Sequence, residues 1–196
     1  MSVAGLLLAA GAGRRMGGPK SLLRDADGVP FLDRAVGLLL DGGCATVTVV
    51  LGASADRAGA LLDEAGWTGD PAVDVVVAGD WDEGMGASLR AGLRALTGRD
   101  AEAALVTLVD LPDVDERVLR RVLAAGGGAG TLVRSTYDGR PGHPVLIGRD
   151  HWAGVVETAA GDRGARTYFR THEPFACECG DLATGRDLDR PEDLLE

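Results

Sequence analysis

Four short runs, residues 3–9, 45–51, 72–78 and 103–109, are apolar at almost every position. A β-strand with one wet face alternates apolar and polar residues. A run that is apolar throughout must be covered on both faces, as in a parallel sheet held between two layers of helices. Helical spacing fills the intervals. Phe31, Leu32, Ala35, Val36, Leu38 and Leu39 make one stripe, entered at Pro30 and stopped by Gly42 and Gly43. Residues 54–65 read as a second helix, ended by Gly66, and Met85, Leu89, Leu93 and Leu96 line a third. A fourth covers 114–125, with Asp113 expected as its cap and Glu116 completing a capping box. This alternation predicts an α/β fold: a doubly wound, mostly parallel, Rossmann-like sheet.

Beyond Gly126-Gly127-Gly128 the pattern changes. Residues 131–135 and 145–147 read as strands, joined by the turn Tyr137-Asp138-Gly139-Arg140-Pro141-Gly142. Helical pieces near 151–158 and 163–170, a strand near 175–179 and a short helix at 191–195 follow. The 196 residues show no internal repeat or disordered linker, so one domain is expected. Residues 1–125 form its first half, and 126–196 form a substrate-facing lobe on the same sheet.

Composition narrows the partners. The net charge is −10 and the sequence pI is near 4.7, which argues against nucleic acid or an anionic membrane as a partner. No apolar stretch is long enough to span a bilayer. The first apolar run has no preceding cation and is followed by Arg14-Arg15, so it reads as a buried strand rather than a signal peptide. Three cysteines, Cys44, Cys177 and Cys179, are too few for a disulfide framework. Cys177 and Cys179 lie two apart, with only His172 near in sequence, so a packing pair is favoured over zinc. A cytoplasmic location is expected.

Against that acidity, the loop after the first run stands out: Gly11-Ala12-Gly13-Arg14-Arg15-Met16-Gly17-Gly18-Pro19-Lys20, with Arg24 beyond. Glycines let backbone N–H groups crowd around an anion, and the cations add charge, so the loop is suited to phosphate. Three nucleotide motifs compete. A dinucleotide fingerprint needs glycine where Met16 stands and an acid near Leu51-Gly52-Ala53. A P-loop kinase or NTPase would use the spacing of Gly13 and Gly18 and the strand ending at Asp110. Here, however, Pro19 takes the lysine's place and removes an N–H from the anion nest.

The third motif, Leu8-Ala9-Ala10-Gly11 through Gly13, Arg15, Met16, Gly17, Pro19 and Lys20, resembles the signature of nucleotidyltransferases. More closely, the chain resembles the molybdenum cofactor cytidylyltransferase and molybdopterin-guanine dinucleotide synthase group. The resemblance runs through Trp81-Asp82-Glu83-Gly84-Met85-Gly86-Ala87-Ser88-Leu89, Val109-Asp110-Leu111-Pro112 and Pro141-Gly142-His143-Pro144-Val145. It continues through Gly161-Asp162-Arg163-Gly164-Ala165-Arg166 and Asp187-Leu188-Asp189-Arg190-Pro191-Glu192-Asp193-Leu194. It covers nearly the whole chain.

The resemblance implies a nucleotidyltransferase fold and transfer of NMP from an NTP to a phosphorylated acceptor of molybdopterin type, with release of pyrophosphate. It also implies an apo-molybdoenzyme or its chaperone as recipient of the product. If the strands are parallel, the loop after Ala9 and Asp110 share one carboxyl edge, where such sheets bind ligands. Asp110 is then expected to hold Mg²⁺ beside the triphosphate, with Lys20 and Arg15 as the catalytic cations. Leu8, Ala9, Ala10, Gly11, Gly13, Arg15 and Lys20 are expected to bind the nucleotide triphosphate, and Gly84, Gly86 and Ser88 its base or ribose. His143, Asp162 and Arg166 are expected on the acceptor side. Asp189, in preference to Asp187, is expected as the second metal carboxylate.

In the resembled group, Leu-Ala-Ala-Gly goes with CTP and Leu-Ala-Gly-Gly with GTP, so Ala10 points to CTP. Leu111 stands where the cytidylyl branch more often has Gln. A guanylyltransferase, a sugar-1-phosphate nucleotidyltransferase and a non-catalytic nucleotide-binding module are the alternatives.

Overall fold

In the computed structural model, which describes residues 2–195, each apolar run becomes a strand, and the three central ones place their two faces in different cores. The strands are β1 (Val3–Leu8), β2 (Thr46–Leu51), β3 (Val73–Val77), β4 (Ala103–Leu108), β5 (Leu132–Tyr137), β6 (Arg140–Gly148) and β7 (Phe175–Glu178). They form one sheet in the order β3-β2-β1-β4-β6-β5-β7. Strands β1 to β4 pair in parallel; β6 runs antiparallel to β4 and β5, and β7 is parallel to β5.

Side chains alternate across a strand, so β1 feeds both layers. Leu6 and Leu8 meet the face packed by Leu89, Leu93 and Leu96 of α3 (Met85–Thr97) and by Trp152 and Val155 of α5 (Arg149–Thr158). Val3 and Leu7 meet the other face. There α1 (Phe31–Asp41) contributes Leu32, Val36 and Leu39, and α2 (Ala55–Glu64) contributes Leu62. The same layer takes Val118, Leu119 and Val122 from α4 (Glu116–Ala124). Both layers are dry, which is why the central runs carry no polar alternation.

Three expectations are corrected. The run at 72–78 does not form a strand covered on both faces: β3 is an edge strand, with Val75 41% and Val77 59% exposed. Apolar composition alone could not place it at the edge. The fourth helix is capped by Asp115, whose carboxylate accepts the Arg117 N–H at 2.9 Å. Asp113 instead accepts from the N–H and hydroxyl of Thr184, both at 2.6 Å, and so ties the C-terminal segment down. The piece expected at 163–170 is broken at Gly164, with a 3-10 turn at Gly161–Arg163 and α6 at Arg166–Phe169.

The second half extends the same sheet. The chain's three cysteines are buried free thiols, and in the second half Cys179 lies with Sγ 3.5 Å from the Cys177 carbonyl, as in a packing pair. Among the described residues no helix is long and apolar enough to cross a membrane. The order of strands reverses direction between β1 and β4. Their carboxyl ends therefore flank the crevice where open α/β sheets bind ligands.

Candidate active site

At the end of β1 the chain leaves the sheet and turns back on itself. The Gly13 carbonyl accepts the N–H groups of Met16 at 2.9 Å and Gly18 at 3.1 Å. Gly13 itself sits at φ +57°, and a Cβ there would fall 1.8 Å from the Gly18 oxygen. Only glycine fits that closure. Pro19 then leads into a 3-10 turn, Lys20–Leu22, which turns the lysine back toward the sheet edge.

Lys20 is the hub of the charges. Its Nζ donates to Asp110 Oδ2 at 2.5 Å and to Asp189 Oδ1 at 3.0 Å. Arg15 reaches the other oxygen of Asp189 at 3.5 Å. Burial pulls the Lys20 ammonium down, but its two carboxylate partners outweigh that and hold it above its ordinary value. Burial raises the Asp110 carboxyl, and the Lys20 contact offsets part of the rise. Asp110 lies two residues past the end of β4, and its carbonyl accepts the Leu188 N–H at 3.0 Å, so the C-terminal segment is stitched to the sheet edge. Asp193 completes the clamp by accepting the N–H groups of Asp189 at 2.8 Å and Arg190 at 2.9 Å. In this way the two carboxylates, 79 positions apart in sequence, meet on one cation.

A cleft of about 560 Å³ opens above this cluster. Leu8, Ala9, Ala10, Gly11, Gly13, Arg15 and Lys20 line it, facing Gly84, Ser88, Asp110 and Asp189. Arg14 also reaches its rim. The Ala10 methyl is buried beside Gly52, against which Trp81 also packs, so it acts on the cleft through that wall. Gly84 has φ +111°, and a Cβ there would meet Asp162 Oδ1 at 2.6 Å, so this loop is pressed onto the 3-10 turn of the second half. Gly86 is not on the lining; it packs against the Ala160 backbone. Asp162 lies in the cleft, separated from the other residues expected on the acceptor side.

His143 and Arg166 line a second, smaller cavity of about 180 Å³, which shares Leu8, Met85, Leu108 and Asp187 with the cleft. Burial, with Arg134 and Arg166 nearby, pushes the His143 imidazole down to about 4, so it is neutral at physiological pH. Its carbonyl accepts the Tyr137 hydroxyl at 2.6 Å. Arg134 is the lining residue that sequence reasoning missed. It lies inside an otherwise ordinary strand run, Leu132-Val133-Arg134-Ser135, and the only signal was a long cation at an interior strand position.

The donor set suits a divalent cation. Asp110 and Asp189 already converge on one positive charge, with hard oxygens and Asp187 on the same lining. Among the described residues no three such groups form a closed cage. Two carboxylates are what Mg²⁺ needs when phosphate oxygens and water fill its other positions.

Comparisons with known proteins identify the family. Residues 5–175 match the MobA-like NTP transferase domain. A molybdenum cofactor guanylyltransferase of Rhodobacter capsulatus is 29% identical, over 100% of this chain and 97% of that protein. A nicotine blue oxidoreductase of Paenarthrobacter nicotinovorans is 36% identical, over 98% of this chain and 94% of that protein. A Mycobacterium tuberculosis protein solved in complex with manganese superposes with a TM-score of 0.69 at 25% identity, covering 91% of this chain and 88% of that one. The chain is a member of the MobA-like NTP transferase family.

Proposed function

We propose that this protein transfers NMP, from CTP in preference to GTP, to a phosphorylated acceptor of molybdopterin type and releases pyrophosphate. The observation that carries the reading is the Lys20–Asp110–Asp189 cluster at the strand-order reversal, directly beneath the glycine loop. A phosphate monoester is already anionic at neutral pH, so no general base is required. One acceptor oxygen forms a bond to the α-phosphorus, the bond to the β-phosphate oxygen breaks, and pyrophosphate departs with the electron pair. Catalysis is then positioning plus charge stabilisation.

Asp110 and Asp189 would hold Mg²⁺, which supplies positive charge beside the triphosphate. Lys20 offsets charge on the α-phosphate and the leaving group, and Arg15 holds the β,γ end. Gly84 and Ser88 contact base or ribose, with Gly86 keeping their loop close to the second half. Residues 1–125 bind the nucleotide, while 126–196 present His143, Arg166 and, from the cleft side, Asp162 to the acceptor. The product would pass to an apo-molybdoenzyme or its chaperone.

The decisive experiment measures pyrophosphate released with Mg²⁺ and each of CTP, GTP, ATP and UTP, with and without molybdopterin. Acceptor-dependent release from CTP is the expected result; release from GTP alone would move the specificity to the guanylyl side. No pyrophosphate from any nucleotide would overturn the reading. The 36% identity to a protein named as an oxidoreductase supports a second reading, redox chemistry on the same fold. Dye reduction by NADH or NADPH, run in parallel, is its test.

A further inference from the structure

The smaller cavity holds a cation with no counter-charge. Among the described residues the Arg134 side chain makes no hydrogen bond or ion pair, and its Nε is buried without a partner. Its guanidinium carbon sits 5.8 Å over the Phe169 ring, which orients it but leaves its charge unanswered. Arg163 and Arg166, both exposed, line the same cavity and form no ion pair among the described residues. The one carboxylate on the lining, Asp187, forms no ion pair with any of them. His143 also lines the cavity, and its other walls include the apolar Leu89, Val106, Leu111 and Val145.

A half-buried guanidinium whose Nε is shut away from solvent without a partner is costly, and a native chain rarely keeps one without a use. Burial and the neighbouring Arg166 charge lower the Arg134 guanidinium from its ordinary value, so the two cations disfavour each other. Arg134 is therefore more than a structural residue awaiting a carboxylate. A monoanion would relieve the repulsion only in part, whereas a dianion that offers several oxygens to the planar, forked N–H donors matches paired arginines.

We infer that this cavity is an oxyanion site for a phosphate dianion, with Arg134 as its principal binding residue and Arg166 and Arg163 as its rim. Because the cavity adjoins the nucleotide cleft, with Leu8, Met85, Leu108 and Asp187 lining both, the dianion it takes is the acceptor's. That last step rests on the transfer reaction proposed above; the anion site itself does not.

The test is equilibrium dialysis of inorganic phosphate against the full chain, with the wild type, Arg134→Gln, Arg134→Lys and Lys20→Ala compared. Arg134→Gln is expected to weaken binding at least tenfold, and Arg134→Lys to weaken it less. Lys20→Ala is expected to retain the Arg134-dependent site, which separates it from phosphate held by the glycine loop. Arg134→Gln is also expected to keep or raise the Tm, because it removes a half-buried charge with no counter-charge among the described residues. In the transfer assay it should raise the KM for the acceptor at least tenfold and leave that for the nucleotide unchanged. Phosphate binding by Arg134→Gln within twofold of wild type, or loss of binding together with a Tm lowered by many degrees, would overturn the inference. Arg134-dependent phosphate binding without any pyrophosphate release would instead sink the transfer reaction and leave the anion site standing.

Discussion

Lys20 and Asp110 form a pair in which each residue restrains the other, and their removal should have different consequences. Lys20→Ala leaves Asp110 buried with no cation, and losing one partner of a buried pair costs about 3–5 kcal/mol. Turnover should therefore fall at least a hundredfold, with a lowered Tm. Asp110→Asn leaves Lys20 bonded to Asp189, so turnover should fall by a similar factor with a Tm within a few degrees of wild type. Initial rates and thermal melts on the same samples check both; a wild-type rate in either variant removes that residue from the mechanism. Ala10 is a specificity question. Its methyl packs beside Gly52, so Ala10→Gly should loosen the wall that includes Trp81 and bring the CTP and GTP kcat/KM values closer together. An unchanged ratio would clear Ala10 of that role.

Among the elements, α4 provides a test of how its start is built. Asp115 caps it through the Arg117 N–H, whereas Asp113 binds Thr184 in the C-terminal segment. Asp115→Ala should cost about 1 kcal/mol of stability, the usual loss of a cap, without altering the nucleotide KM. Asp113→Ala should instead loosen the segment that carries Asp189 and raise the KM for the nucleotide. Denaturant melts and steady-state kinetics separate the two. The sequence placed every central strand and helix correctly here because their apolar periodicity is local. It misassigned the cap because Asp113 and Asp115 both satisfy the local pattern, and only the long-range Thr184 contact decides between them. The edge position of β3 was illegible for the same reason: strand order is set by pairing, not by composition. Of the site, the glycine loop, Lys20 and Asp110 were readable as motifs. Arg134 was not, since a cation in a strand acquires meaning only when the cavity around it is known.

Across the whole molecule, net charge and a single imidazole pull stability in opposite directions with pH. Acidification from pH 7 toward the pI of about 4.7 neutralises a surface carrying −10, which relieves self-repulsion and favours the folded state. His143 opposes this. In the folded state its imidazole is held at about 4, against 6.5 when free, by burial and by Arg134 and Arg166. Between those two values the unfolded chain binds a proton that the folded one does not, so stability contributed at this position rises with pH and is lost as pH falls from 6.5 to 4. At about 1.4 kcal/mol per pKa unit, the loss is at most about 3 kcal/mol. Total stability alone cannot separate the two effects, but His143→Asn can, because both proteins share the surface charge. The wild type minus variant difference in unfolding free energy should be flat above pH 7 and shrink or turn negative steadily between pH 6.5 and 4. Phosphate in the cavity that His143 lines should raise the lower end of that window and shrink the loss, since an anion beside Arg134 and Arg166 offsets the charges that help to keep the ring neutral. A difference that stays constant across the window would mean that His143 titrates alike in the folded and unfolded chains.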